Sequence, residues 1–263
     1  MSFRKSWALL LLSFQLSPTA SGQNTGSQSA LRNAQAVAIV QLAVKQMGGI
    51  APADSTATGT VNLVAGSQNE TGTITILTKG SSQTSEQITL PSGQRAVVYS
   101  NGMASETTPL GSAQAVMELA VADQCADFPL PLLLAALNNA DESFQYIGLE
   151  MFNGGVTQHV QMSNSFASLP RLARLTPFST FDLWFDTLSG LPVKLAFVRR
   201  PGGGAISGVP VELRYSTYMN FGAVLYPAQI QKYYNGSLWQ TIAIQSVVLN
   251  TGLTDAQFLV QVQ

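Results

Sequence analysis

Charged side chains are scarce in this sequence: Asp, Glu, Lys and Arg make up only 10% of the 263 residues, where roughly a quarter is usual for a soluble domain. Thirteen basic residues against fourteen acidic ones leave a formal net charge of −1, so no basic field exists to gather phosphate backbones, and nucleic acid is not an expected partner. One cysteine and one histidine in the whole chain supply neither the ligands of a zinc site nor an internal disulfide, and no metal and no cofactor is expected. Long apolar runs are missing too. The most apolar segment, residues 129–137 with Leu130, Leu132, Leu133 and Leu134, falls short of the ~20 residues that cross a bilayer and reads as a buried helix. Hydrophobic residues nevertheless reach 46%, the reverse of the low-hydrophobicity, high-charge balance of disordered chains. A folded globule with a Ser/Thr/Gln/Asn surface is expected.

The first residues carry an address. Arg4 and Lys5 precede a short apolar stretch at 7–16, and the small residues of Pro18-Thr19-Ala20-Ser21-Gly22 follow. A positive start, an apolar stretch about half a membrane span long and a small-residue cleavage site make a signal peptide, here 1–22, with Gln23 as the new N-terminus. Cys125 lies far from that site, so lipid anchoring at the cleavage point is not expected. The chain reads as a periplasmic or secreted protein with no permanent membrane anchor once the signal is cleaved, and residues 23–263 read as one domain.

After a polar lead-in at 23–29, a first helix is expected from Ser29 as N-cap, with Leu31, Ala34, Val37, Ala38, Leu42, Ala43 and Met47 on one side and Gly48-Gly49 as its stop. Strands follow at 58–65, 71–79, 85–90 and 95–100, with Val61 and Leu63, then Ile74 and Ile76, alternating with hydroxyl residues. A helical insert is predicted next, Ser112 capping 113–124 and a second helix over 130–137. Strands resume at 143–152, 156–162, 180–186, 192–199, 211–219, 226–234 and 238–249, separated by turn signals such as Asn153-Gly154-Gly155, Ser189-Gly190 and Asn235-Gly236. About eleven strands and two or three helices without βαβ alternation predict an α+β fold, an antiparallel sheet or open barrel.

The last third carries a resemblance. Phe181-Asp182-Leu183-Trp184-Phe185-Asp186, then Ser189-Gly190-Leu191-Pro192-Val193-Lys194-Leu195, then Glu212-Leu213-Arg214-Tyr215-Ser216-Thr217-Tyr218, then Tyr226-Pro227-Ala228-Gln229-Ile230, then Asn250-Thr251-Gly252-Leu253 and Phe258, resemble the LolA/LolB-like superfamily, which includes the periplasmic lipoprotein carrier. The resemblance implies an open antiparallel β half-barrel curled around two or three helices, with acyl chains held in the concavity. It also implies an arginine near the first helix and strands that holds a lid; Arg32 and Arg95 lie in such regions but carry no motif.

Catalytic groups are hard to find. His159 alternates with Val160 and falls with Thr157 and Gln161 on a polar strand face, a solvent-facing position, and there is no Gly-x-Ser-x-Gly elbow to make it the base of a hydrolase. Asp123 and Asp127 flank Cys125 and would raise its thiol pKa. Asp182 and Asp186 share a strand face but stand about 13 Å apart at ~3.3 Å per residue, beyond the ~5 to 9.5 Å of working carboxylate pairs. Gly202-Gly203-Gly204 precedes a strand, so no helix N-terminus points an anion site from it. Asn69 and Asn235 match the glycosylation pattern, which matters only in a eukaryotic secretory route.

What the sequence has in surplus is apolar faces. Leu63, Ile74, Ile76, Phe181, Leu183, Phe185, Leu195, Phe197, Leu213, Tyr215, Ile242 and Ile244 point one way from their strands. They are core if the helices plug the sheet, or the lining of an acyl-chain cavity if the plug is partial. The reading is a non-catalytic carrier or binding protein whose partner is a lipid or acylated protein. Its rivals are an envelope module of the same fold that meets a protein partner, for which a free sheet edge offers a surface, and an esterase or glycosidase.

Overall fold

The computed structural model describes residues 30–65, 68–109, 113–117, 126–200 and 208–260. Two antiparallel meanders build one sheet. The first comprises β1 (Asp54–Ala65), β2 (Gln68–Lys79), β3 (Gln83–Leu90), β4 (Gly93–Ser100), β5 (Met103–Thr107) and β6 (Ala113–Met117). The second comprises β7 (Glu142–Phe152), β8 (Gly155–Asn164), β9 (Phe181–Asp186), β10 (Pro192–Arg199), β11 (Val209–Phe221), β12 (Val224–Tyr234) and β13 (Ser237–Leu249). Pairing of β1 with β13 joins them in the order β6-β5-β4-β3-β2-β1-β13-β12-β11-β10-β9-β8-β7. Thus β6 and β7 end the sheet on opposite sides, and the chain passes between them through helix α2 (Pro129–Asn138).

Three hairpins follow from Asn-Gly dipeptides. Asn101-Gly102, Asn153-Gly154 and Asn235-Gly236 all have positive φ at both residues, from 49° to 86°, the geometry of the tight turn whose twist matches flanking strands. The sheet is strongly curled. Arg199 of β10 stands 6.0 Å over the Tyr99 ring of β4, although seven strand spacings would separate them by about 33 Å in a flat sheet.

Helix α1 (Ala34–Gln46) begins at Asn33, whose side chain accepts from Ala36 N at 3.0 Å; Ser29, the expected cap, lies outside the described residues. Gly48 (φ 113°) ends it where a Cβ would meet Ala223 O at 2.5 Å, so the helix end sits flush on the β11–β12 turn, with Leu225 N donating to Met47 O. Ahead of α1, residues 31–33 bond to Phe144 of β7 through Asn33 N and Leu31 O, covering that sheet edge. Ala36, Ile39, Val40, Ala43 and Val44 of α1 and Leu130, Leu132, Leu133 and Ala136 of α2 join the concave strand faces in one core.

Among the described residues the sheet has thirteen strands, where about eleven were expected. The segment 113–117, expected to open a helix, is strand β6, because pairing with β5 overrides the helix propensity of its alanines. At five residues, β5 is too short for its alternation to declare itself. The remainder of that predicted helix, 118–124, lies outside the described residues, as do the signal segment 1–22, the lead-in 23–29, Cys125 and Gly202-Gly203-Gly204.

Candidate functional site

The concave face is filled at one end and hollow at the other. A cavity of about 380 Å³ opens among β1, β3, β4, β5, β10, β12 and β13, inside the roughly 300 to 1,000 Å³ typical of small-ligand sites. Leu63, Ile88, Val97, Tyr99, Tyr234 and Trp239 give it apolar and aromatic walls, while Glu86, Arg95, Glu106, Arg199, Lys232 and Gln240 supply the polar groups. Strand register explains the mixture. Glu86 stands in phase with Ile88 on β3, and Arg95 in phase with Val97 and Tyr99 on β4, so charged chains project to the same side as the core. A larger hollow of about 540 Å³ beside β3, β4, β5 and residues 256–259 has a mixed lining, with Ile88, Val98 and Leu259 set among Gln87, Gln94 and Thr107.

A buried ion triad lies beside the cavity. Lys232 Nζ is 2.5 Å from Glu86 and 2.8 Å from Asp127, and all three side chains are at most 10% exposed. Burial opposes the charge of Glu86, but Lys232 outweighs it and holds this carboxyl below its ordinary range. Burial, then the adjacent Glu86 charge, pushes Asp127 up to about 7 against the pull of Lys232. Burial works against Lys232 as well, yet Asp127 and Glu86 together keep it ionised above its usual range.

Asp127 lies just before α2, so the triad ties that end of the helix to the sheet. Tyr215 adds a hydrogen bond by donating to Ala126 O at 2.5 Å, and the Phe128 ring stacks on Tyr226 at 4.6 Å. The opposite end of α2 has no basic residue of its own. Arg32 fills that role, donating to Leu137 O and Asn139 O at 3.0 Å each, where a cation complements the helix dipole. Its guanidinium also lies 4.7 Å over Phe144. Of the two arginines considered from sequence, Arg32 is the one that grips α2, and Arg95 lines the cavity. Beneath this end of α2, burial pushes Glu142 up to about 7, with Arg32 opposing.

The twelve residues expected to line a ligand site are all buried on the concave face, none more than 6% exposed. Leu63 borders the 380 Å³ cavity, and Phe181 borders a hollow of about 170 Å³ next to Leu132 and Glu142. All except Leu63 are absent from the cavity lining and pack in the core that includes the two helices. Sequence reasoning missed Glu86, Glu106, Arg199, Lys232 and Gln240, whose signal was a charged or amide side chain in phase with apolar neighbours.

His159 is not solvent-facing as expected. It lies on the outer face but is only 9% exposed, bonded through Nδ1 to Glu150 (2.7 Å) and through Nε2 to Asp182 (2.8 Å), and stacked on Trp184 at 4.2 Å. Trp184 Nε1 donates to Glu150, which together with His159 holds that carboxyl low. Lys194 covers Trp184, 3.4 Å from the ring centroid. With both imidazole nitrogens engaged by carboxylates, no hydroxyl or thiol is bonded to the ring, so this arrangement lacks the nucleophile–base contact of a hydrolase. Glu150 and Asp182 hold opposite nitrogens and do not converge on a point; among the described residues, no three His, Cys, Asp or Glu side chains group to hold a metal. Asp186 instead accepts from Leu188 N and Ser189 N in the β9–β10 turn.

No protein-family sequence model matches the chain, and no curated protein sequence does. Solved structures do. A LolA superfamily protein from Nitrosomonas europaea superposes at TM-score 0.53 with 14% identity, over 85% of this chain and 97% of that one. A domain from Vibrio parahaemolyticus assigned to outer membrane lipoprotein sorting matches at 0.53 with 12% identity, over 85% and 96%. A DUF1329 family protein from Desulfovibrio piger matches at 0.52 with 13% identity, over 86% and 99%. The chain has the LolA-like fold.

Proposed function

We propose that the protein is an exported, non-catalytic carrier or binding protein that holds the acyl chain of a lipid or lipidated protein in the concave cavity, with α2 as its lid. The observation that carries this reading is the apolar-walled cavity on the concave face of a LolA-like half-barrel, beside a helix tethered at both ends by polar contacts. Each methylene moved from water into such walls contributes ~0.8 kcal/mol, so a chain needs no cofactor to be retained. Displacement of α2 would bare the ridge of Phe181, Leu183, Phe185, Leu195 and Leu213 and lengthen the apolar track, giving the buried lining its role in the loaded state. The expected signal at 1–22 supports a periplasmic or secreted setting.

Native mass spectrometry of the protein purified from its own envelope should show retained lipid mass, and a fluorescent fatty acid should bind with displacement by unlabelled chain. A clean apo mass together with no fatty-acid binding would overturn the proposal. Capture of a protein partner that survives lipid extraction would turn the reading to an envelope interaction module.

A further inference from the structure

We infer that the hollow beneath the C-terminal end of α2 is a separate ligand site, built for a primary ammonium on a short carbon chain, with Glu142 as its counter-ion. It lies at the opposite end of α2 from the ion triad and does not depend on the carrier reading.

Glu142 opens β7 in phase with Phe144, so both side chains turn to the concave interior, and it borders the hollow. It is only 6% exposed, yet among the described residues its carboxyl accepts no hydrogen bond; burial acts on it with only the Arg32 charge in opposition. Arg32 spends its guanidinium on Leu137 O, Asn139 O and the backbone O of Glu142 rather than on the carboxyl. The other elements packed there bring no charge. Helix α2 is uncharged throughout, Asn164 and Ser179 are neutral, and the adjacent Asp141 is turned to the backbone N and hydroxyl of Ser168. A buried carboxyl without a donor is costly, and native structures seldom keep one without a reason.

The hollow measures about 170 Å³, close to the ~150 Å³ of an apolar cavity that accepts benzene, so its occupant has about six non-hydrogen atoms. Leu132, Ala135, Ala136 and Phe181 give it an apolar floor. Other oxygens of the lining are already committed: Asn139 Oδ1 accepts from Asp141 N, Asn164 Oδ1 from Phe166 N, and Ser179 Oγ donates to Thr176 O. A divalent cation needs about six oxygen ligands, which a single carboxylate over an apolar floor does not supply. A primary ammonium carries its own N–H donors to the carboxylate in a charge-assisted bond, and its carbon chain covers Leu132 and Phe181. A free alkylamine and the headgroup of an aminophospholipid share this chemistry.

The test is calorimetric titration of the full mature protein at pH 8 with butylamine, and with glycerophosphoethanolamine as the headgroup without its chains. Butanol, which lacks the charge, and tetramethylammonium, which lacks the N–H donors, are the controls. Butylamine should bind at least about tenfold more tightly than either control, the scale of a charge-assisted hydrogen bond. Glycerophosphoethanolamine binding as tightly as butylamine identifies a lipid headgroup as the source, and its exclusion identifies a free amine. Glu142→Gln, which keeps the shape, should abolish the preference for butylamine over butanol. Ala135→Leu, which fills the hollow and keeps the carboxyl, should weaken butylamine about tenfold or more. Because burial raises Glu142 to about 7 and the ligand pairs with the ionised form, butylamine affinity should be full at pH 8 and fall about tenfold for each pH unit below about 7. Equal binding of butylamine and butanol, a preference that survives Glu142→Gln, or an affinity unmoved by Ala135→Leu would overturn the site. Fatty-acid binding is titrated separately, so that failure leaves the carrier reading standing.

Discussion

Strands β8–β11 and strands β3–β5 both turn alternate side chains toward the concave interior, yet one set is sealed and the other faces a cavity. In the first set Val160, Met162, Phe181, Leu183, Phe185, Leu195 and Leu213 are at most 2% exposed. The helices anchor on the same half of the sheet, through Arg32 on Phe144 of β7, Phe128 on Tyr226 of β12 and Tyr215 of β11 on Ala126. In the second set Glu86, Arg95, Val97, Tyr99 and Glu106 border open volume. Alternation thus establishes which way a side chain points. Whether anything meets it there depends on where the helices lie, and that is a property of the whole chain rather than of a strand.

The comparison is broken most directly by shortening one side chain in each region. Phe185→Ala should cost about 4 kcal/mol, because the surrounding core cannot collapse into the space. Val97→Ala should cost under about 1 kcal/mol, since its side chain already borders a hollow, but should weaken fatty-acid affinity several-fold through lost wall contact. Urea denaturation of both variants, beside a binding titration, reads the two effects. Similar stability losses would mean that the two regions are packed alike.

Lys232 joins the regions, reaching Glu86 on β3 and Asp127 ahead of α2. Lys232→Met should destabilise the fold by about 3 kcal/mol or more, because it strands two buried carboxyls without their cation. Raising the proton concentration should return part of that loss as the carboxyls neutralise. A variant as stable as the parent at pH 8 would show that the triad does not tie the helix to the sheet.

Glu142, only 6% exposed, sharpens the comparison from the sealed side. Its folded pKa is raised to about 7, chiefly by burial, so its protonated form is favoured in the native state. The associated stability is fully present below its ordinary value near 4.5 and is lost as pH rises through about 7. The loss amounts to at most about 3 kcal/mol. Glu142→Gln should flatten this fall and make the protein more stable at pH 8, the residual slope belonging to Asp127 and its partners. Thermal melts from pH 4 to 8 measure it, and an unchanged pH profile would mean that Glu142 is solvated.

Much of the fold was legible because its signals are local. Asn-Gly turns require no knowledge of distant chain, and eleven of the thirteen strands fall where alternation and those turns place them. The strand at 113–117 was not legible, because alanine-rich sequence takes its form from the neighbour it pairs with. The cavity was obscured for a related reason. Apolar phase located Leu183 and Phe185, which are core, whereas the open region announces itself through Glu86 and Arg95, which in isolation look like solvent-facing residues. Only the curl that brings β10 over β4 makes them a lining.

If α2 is what keeps one region sealed, loosening it should make that region behave like the other. Arg32 is the place to try, because its two 3.0 Å bonds to Leu137 O and Asn139 O are the cationic cap at the helix C-terminus. Arg32→Gln removes the charge that answers the helix dipole and thins the hydrogen bonding of the last turn, for a stability loss of about 1 to 2 kcal/mol. That is too little to unfold a domain but enough to populate an open lid more often. Fatty-acid exchange should then quicken several-fold, and a fluorescent apolar probe should brighten as it finds added volume against Leu183 and Phe185, which lie in the core with α2. Faster exchange without any gain in probe emission would place the moving part at the cavity mouth, and unchanged exchange with the expected loss of stability would make α2 a fixed plug, its clamp serving the core alone.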